Sequence, residues 1–177
     1  MSQTQNPYAQ INALARQAFA HWGAGRLAEA AEGFTAAITL VRDGGFPAVA
    51  DLHAQLAGVL DTQGRLAEAV AHSELALAAE RAQSGASDAG PAVKVARQFL
   101  ADRLVRHGEP ERALEVLAPS LSALPDDWLL NMGQAEALFA AGRVADARAA
   151  AERALANASS EDKLKQLAER LAPVLVA

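Results

Sequence analysis

Four histidines and a few acidic pairs are the side chains of this sequence that could support acid–base or metal chemistry. The histidines are His21, His53, His72 and His107, and none stands in the HExxH arrangement of a helical zinc site. The sequence has no cysteine, so a thiolate nucleophile and a cysteine-based zinc site are excluded. We therefore interpret the histidines as core or rim residues.

The acidic pairs and the glycines also have simple structural explanations. Asp126-Asp127 and Glu161-Asp162 stand where helices are predicted to begin, and acidic side chains stabilise helix N-termini. No GxxxxGK[ST] loop is present, and the glycines at 44–45 do not open a strand–helix turn that could hold a phosphate. We predict that the protein is not an enzyme and that it has no cofactor and no metal.

Composition favours closely packed helices. The hydrophobic fraction is 51% while aromatic residues make up only 5%, and alanine, the strongest helix former, is abundant. Sixteen basic residues are scattered among 21 acidic ones for a net charge of −5, which argues against a nucleic-acid ligand. No apolar run is long enough for a membrane helix, and no signal peptide is recognised, so we expect a cytoplasmic protein without a membrane partner.

One short phrase occurs four times along the chain. GRLAEA at 25–30 returns as GRLAEA at 64–69, GEPERA at 108–113 and GRVADA at 142–147. The glycines are separated by 39, 44 and 34 residues, which is the range of periods found in solenoid proteins. Apolar residues at helical spacing precede and follow each glycine, so each phrase is predicted to be the turn of a helical hairpin.

These residues resemble the tetratricopeptide repeat (TPR) family. The best match, 94–125, has Leu100-Ala101, Leu104, Gly108 and Ala113 at the family's spacing, with Pro125 at its end. The other units are 11–44, 50–83 and 128–159. Extra residues at 42–47 and 82–91 make the first repeats longer, as in kinesin-light-chain-type members of the family.

The resemblance implies an all-α, right-handed α-solenoid of about four antiparallel helical hairpins plus a C-terminal capping helix. We predict a flexible N-terminal segment at 1–10, a single domain at 11–177 and the capping helix at 160–173, ending near Pro173.

In this family the first helix of each hairpin lines a concave groove that holds a peptide or a partner helix. The spacing assigns eight residues to this groove, and they are mostly acidic or apolar: Phe19, Trp22, Asp61, Gln98, Asp102, Arg106, Glu136 and Phe139. The lysine–asparagine–arginine clamp that some family members use for a C-terminal carboxylate is absent. We therefore expect the partner protein or peptide to be basic or amphipathic.

The leading hypothesis is a non-catalytic scaffold or adaptor for protein–protein interaction. One alternative is a small TPR chaperone for a secreted or unstable client protein. Another is self-assembly, in which the apolar tail at 171–177 packs on a second copy to form a homodimer through the C-terminal helix.

Overall fold

A computed structural model describes residues 6–47 and 49–176, and within these ranges all regular structure is helical, with no strand. The helices are α1 (Pro7–Gly23), α2 (Leu27–Asp43), α3 (Ala50–Thr62), α4 (Leu66–Gln83), α5 (Pro91–Arg106), α6 (Pro110–Ala123), α7 (Trp128–Ala140), α8 (Val144–Ala156) and α9 (Glu161–Val176). The predicted all-α repeat class is confirmed. We call α1, α3, α5 and α7 the first helices, because each precedes one of the four glycine turns.

The four turns share one hydrogen-bond pattern. At Gly108, the glycine N–H donates to the Val105 carbonyl and the next N–H, of Glu109, donates to the Leu104 carbonyl. The same two bonds recur around Gly25, Gly64 and Gly142, and all four glycines have positive φ, between 74° and 84°. This is the Schellman ending of a helix, which needs a residue in the left-handed conformation and therefore favours glycine. The repeated phrase is thus a repeated turn.

The chain divides into two compact units, Met1–Glu80 and Arg81–Ala177. The sequence predicted a single domain over 11–177, whereas the division falls inside α4, so we describe each unit separately. The predicted repeats 11–44, 50–83, 94–125 and 128–159 overlap the pairs α1/α2, α3/α4, α5/α6 and α7/α8.

The core of the first unit is made by the apolar stripes of α1 to α3 and the start of α4. Phe34 from α2 is 1% exposed and is its largest fully buried side chain. Ala30 and Ala69, the last residues of two of the repeated phrases, are completely buried. Small residues at these points let the paired helices approach closely.

The second unit contains α5 to α9. A buried arginine of α5 holds the long loop that connects α4 to α5. Arg97 of α5 is 4% exposed, donates to the Val116 carbonyl at 2.6 Å and forms an ion pair with Asp88 of the loop. Ser120 of α6 donates to the Asp88 carbonyl at 2.6 Å. These contacts attach the extra residues at 82–91 to α5 and α6, so this insertion is a packed part of the unit.

Helix α9 packs on α7 and α8, where a capping helix was predicted. Leu167, Leu171 and Val174 are buried against a row of alanines in α8. The helix continues past Pro173 to Val176, so its predicted end at 173 is wrong. Pro173 is exposed, and burial of Val174 beyond it offsets the backbone hydrogen bond that proline cannot make.

The chain ends differ from the prediction in one further respect. Helix α1 begins at Pro7, inside the segment 1–10 that was predicted to be flexible, because the Asn6 side chain accepts a hydrogen bond from the Tyr8 N–H and proline suits a first helical turn. Residues 1–5, and Ala177 of the predicted apolar tail, lie outside the described residues. No helix in the described ranges has the length and apolarity that crossing a membrane requires.

Candidate partner-binding faces

The eight predicted groove residues are divided between the two units, and the two groups have different environments. In the first unit, Phe19 and Trp22 lie on α1, with ring centroids 6.1 Å apart at an angle of 78°. Phe19 is 58% exposed, whereas Trp22 is half-buried and packs on the core. Only Phe19 therefore offers most of its ring to a ligand.

Trp22 has a structural contact that explains its burial. Its indole lies over Gly58 of α3 so closely that a Cβ at position 58 would be 2.6 Å from the ring. A glycine is needed there because any side chain would displace the indole. Asp61, three residues further along α3, is half-buried, and its carbonyl accepts the Gly64 N–H of the turn.

An open pocket of about 290 Å³ lies beside Phe19. Its lining is mainly apolar and comes from α1, α2 and α3: Ala15, Arg16, Phe19, Phe34, Asp51, Leu52 and Gln55. Asp51 is an exposed carboxylate at the start of α3. The pocket thus combines an aromatic wall with two exposed side chains of opposite charge, Arg16 and Asp51. Asp51 and Gln55 were not among the predicted site residues.

A larger depression of about 790 Å³ lies on the α2 side of the same unit, with polar groups such as Thr35 and Arg65 in its lining. None of the eight predicted residues lines it. Arg65 there is engaged with Glu68 through two hydrogen bonds of 2.7 and 2.6 Å.

In the second unit, two predicted carboxylates bind an arginine from α9. Arg170 donates to both oxygens of Glu136, from Nε at 2.5 Å and from Nη2 at 2.9 Å, and also from Nη2 to Asp102 at 3.2 Å. Hydrogen bonding to Glu136 raises the pKa of Arg170, although partial burial opposes the shift. Arg106 forms an ion pair with Asp102 at 3.0 Å. Two arginines therefore balance these two carboxylates, and the expected acidic character of this face is absent.

The sequence contained a signal for Arg170 that the prediction missed. Asp102, Glu136 and Arg170 are spaced by 34 residues, which is the repeat period of this half of the chain. They occupy equivalent positions on α5, α7 and α9, and Asp102 and Glu136 each stand six residues before the turn glycine of their hairpin. In the first unit, Phe19 and Gly58 occupy the same position relative to Gly25 and Gly64. Helix α9 thus provides the first-helix position of a further repeat.

Gln98 and Phe139 are less accessible than predicted. Gln98 is 5% exposed, and its amide covers Gly133 of α7, where a Cβ would be 2.0 Å from Oε1. No donor among the described residues reaches that oxygen. Phe139 is half-buried and packs on the core formed by α7, α8 and α9. Gln98 therefore belongs to the α5–α7 contact, in which a long side chain of one first helix lies over a glycine of the next.

Histidines come together at one place in the first unit. The Nδ1 atoms of His53 on α3 and His72 on α4 are 3.0 Å apart, and the ring centroids are separated by 5.3 Å. The centroid separation exceeds the nitrogen separation by about the width of one ring, so the rings meet edge to edge, and the Nδ1–H of one ring can donate to the Nδ1 of the other. Within the described residues, no cluster of three or more His, Asp or Glu has metal-site geometry.

Comparison with known proteins supports the repeat assignment. Residues 100–162 match the model of the tetratricopeptide repeat family. No curated protein matches the sequence.

Solved structures share the fold at low sequence identity. MamA (residues 41 to the end) from Desulfovibrio magneticus RS-1 is 15% identical with a TM-score of 0.66, and the match covers 94% of each chain. The TPR-like repeats of a putative kinesin light chain from Podosopora anserina are 18% identical with a TM-score of 0.69, covering 96% of this chain and 90% of that one. BtubC from P. vanneervenii is 20% identical with a TM-score of 0.60, covering 95% and 80%.

The predicted resemblance is confirmed: the chain has the fold of tetratricopeptide repeat proteins, and its residues 100–162 match the family's sequence pattern.

Proposed function

We propose that this protein is a non-catalytic scaffold that binds a peptide or helix of a partner protein at the Phe19 pocket of its first unit. The TPR fold supports a role in protein interaction. The observation that carries the specific assignment is the apolar pocket itself, which has a 58% exposed aromatic ring on one side and the carboxylate of Asp51 on another.

The charge of the first unit indicates the chemistry of the partner. Its residues include four arginines and no lysine against eight aspartates and glutamates, whereas basic and acidic residues are nearly balanced in the second unit. A partner that places an apolar side chain beside Phe19 and a lysine or arginine beside Asp51 gains burial and charge complementarity together. This agrees with the basic or amphipathic partner expected from the sequence.

The charges of the second unit also favour the first unit as the binding site for a basic partner. Its two predicted carboxylates already hold Arg170, so a basic partner would have to displace an internal arginine that makes three hydrogen bonds. Among the predicted groove residues, the exposed Phe19 therefore offers such a partner the more accessible site. A cytoplasmic location is part of this proposal, and cell fractionation with an antibody against the protein tests it.

Site-specific photo-crosslinking in the source cell tests the proposal. Phe19→benzoylphenylalanine should crosslink to one or a few discrete partners, and the added change Asp51→Lys should abolish those crosslinks by reversing the charge at the pocket. Phe99→benzoylphenylalanine is the matched control, because Phe99 is 56% exposed but lies on α5 in the second unit.

Absence of crosslinks at position 19, or equal crosslinks at positions 19 and 99, would contradict the assignment to the Phe19 pocket. Crosslinks at position 19 that persist with Asp51→Lys would keep the pocket but reject a basic partner.

A further inference from the structure

Besides the Phe19 pocket of the first unit, the second unit has a surface with an arginine, Arg153, that forms no ion pair with a described carboxylate. Arg153 of α8 donates from Nε to Asn131 Oδ1 at 3.0 Å and from Nη2 to Gln134 Oε1 at 3.2 Å. Both acceptors are neutral amides on α7. Within the described part of the chain, no carboxylate forms an ion pair with Arg153, in contrast to Arg143, Arg106 and Arg170.

The two amides fix the guanidinium in place. Asn131 is completely buried, and its own Nδ2 donates to the carbonyls of Pro125 at 2.7 Å and Asp127 at 3.0 Å. The oxygen that receives Arg153 is therefore positioned by two backbone contacts. An arginine that is already oriented loses less side-chain entropy when it binds an anion. Its Nη1 group makes no hydrogen bond within the described residues and remains available as a donor.

Arg153 stands at the edge of a depression of about 560 Å³ between α6, α7 and α8. The apolar part of its lining comes from Leu114, Ala118 and Leu121 of α6, Leu138 of α7 and Ala149 of α8. Arg143 and Asp146 lie on the lining as well, but they neutralise each other through hydrogen bonds of 3.1 and 2.8 Å. The net charge of the lining side chains is thus +1, on a protein whose total charge is −5.

We infer that this depression, which we call the Arg153 site, binds an acidic amphipathic segment of a protein partner. A glutamate or aspartate of that segment would accept hydrogen bonds from the free N–H groups of Arg153, and an adjacent leucine-like side chain would cover the apolar floor. Such a pairing is charge-assisted and can use the fork geometry of the guanidinium. The site differs from the Phe19 pocket in unit and helices, and its lining has a net positive charge, whereas Arg16 and Asp51 leave the lining of the Phe19 pocket neutral.

The test uses the full chain and two matched peptides, acetyl-Leu-Glu-Ala-Leu-amide and acetyl-Leu-Gln-Ala-Leu-amide. Titration followed by ¹H–¹⁵N correlation spectra should shift the amides that line the depression on α6, α7 and α8, together with the Arg153 Nε–H. The glutamate peptide should bind about three- to tenfold more tightly than the glutamine peptide, because only the carboxylate gains a charged hydrogen bond.

Three variants separate the effect of charge from damage to the fold. Arg153→Gln should remove the difference between the two peptides, while Arg148→Gln, an exposed arginine on the same helix, should preserve it. Arg153→Glu should reverse the selectivity, so that a lysine version of the peptide binds better than the glutamate version. A gain of binding cannot result from unfolding, so this variant keeps the test decisive if Arg153→Gln is unstable.

Equal binding of the two peptides, shifts confined to other helices, or a failure of Arg153→Glu to prefer the lysine peptide would each overturn the inference. None of these results bears on the crosslinks at position 19, so the inference and the proposed function can fail independently.

Discussion

Trp22 packs so closely on Gly58 that position 58 must have no side chain. The indole of Trp22 occupies the space that a Cβ at position 58 would need, with a separation of 2.6 Å. Gln98 and Gly133 repeat the arrangement in the second unit. In both units a glycine on one first helix receives the large side chain of the preceding one, so these glycines determine how closely successive hairpins pack.

We predict that Gly58→Ala destabilises the protein. Overpacking against the rigid indole should cost about 1–3 kcal/mol, which exceeds the gain of about 0.5–1 kcal/mol from alanine in a helix. Urea unfolding followed by circular dichroism measures the change. In a Trp22→Leu background the same substitution should be neutral or stabilising, because the obstructing ring is gone.

Gly23→Ala is the control for this measurement, since nothing lies within 4 Å of a Cβ at that helical position. A loss of stability with Gly23→Ala as large as with Gly58→Ala would contradict the explanation.

At the scale of the elements, each hairpin depends on its turn. The turn at Gly108 has a φ of 84°, and a Cβ there would meet no atom within 4 Å. The need for glycine is therefore conformational and not a matter of space. This residue and the two hydrogen bonds around it set the direction in which the chain leaves α5 to enter α6.

We predict that Gly108→Ala costs about 1–2 kcal/mol of unfolding free energy, which is the cost of a left-handed residue with a Cβ. Gly108→Asn should cost clearly less, because asparagine tolerates this conformation. Thermal or urea unfolding of both variants measures the difference. Equal losses for alanine and asparagine would indicate a steric clash and would refute the conformational argument.

The pair α3/α4 is joined by the His53–His72 contact, which should make its stability depend on pH. Burial lowers the pKa of both histidines below the ordinary value of 6.5, and the nearby imidazole of His72 lowers the pKa of His53 further. At His72, Glu68 raises the pKa while Arg65 lowers it. A lowered pKa means that the unfolded chain binds protons more readily than the folded protein.

The stabilisation by neutral histidines is therefore present above pH 6.5 and is lost as the pH falls from 6.5 through the lowered pKa values. We predict that the unfolding free energy falls between about pH 7.5 and pH 5, and falls less in the double variant His53→Gln, His72→Gln. Urea titrations at a series of pH values measure this. His21→Gln, outside the pair, should keep the wild-type dependence. An unchanged pH profile in the double variant would exclude the pair as its source.

At the scale of the whole molecule, α9 determines whether the chain has an open apolar end. Leu171 is completely buried on α8, whereas Val176 near the end of the same helix is 82% exposed. Of the apolar tail that suggested a homodimer, Leu171, Val174 and the partly buried Leu175 are therefore used inside their own unit, whereas Ala172, Pro173 and Val176 are exposed.

We predict that Leu171→Asp detaches α9, exposes the alanine row of α8 and causes self-association, which light scattering detects as an increased mass. Val176→Asp should leave the mass of the full chain unchanged. A halving of the mass with Val176→Asp would contradict this and would support a dimer through the C-terminal helix.

The sequence predicted the helical pairs and their turns well, because both depend on local information. The apolar periodicity that specifies a helix and the left-handed glycine that ends it are both features of a short stretch of sequence. All four turns have the predicted glycine. The end of α9 was missed because Pro173 is exposed and the burial of Val174 offsets its effect.

The candidate sites were less predictable because they depend on contacts between distant residues. Gln98 was assigned to a ligand face but is buried, since the helical period does not distinguish a groove position from one that packs on the next helix. The neutralisation of Asp102 and Glu136 required Arg170, which is 34 residues beyond the nearer of the two. Asp51 and Arg153 showed no motif and became candidates only through the depressions that they line.

The four turns close their hydrogen bonds within stretches of six residues, as from Leu104 to Glu109, and need no atom from elsewhere in the chain. A duplication in the gene that copies one full period would therefore bring the internal turn of its hairpin with it. Such a duplication would lengthen the protein by a hairpin whose own turn is already complete. The repeated phrase in the sequence is what that mode of growth would leave behind, and it makes the addition or removal of single hairpins a practical route for protein engineering.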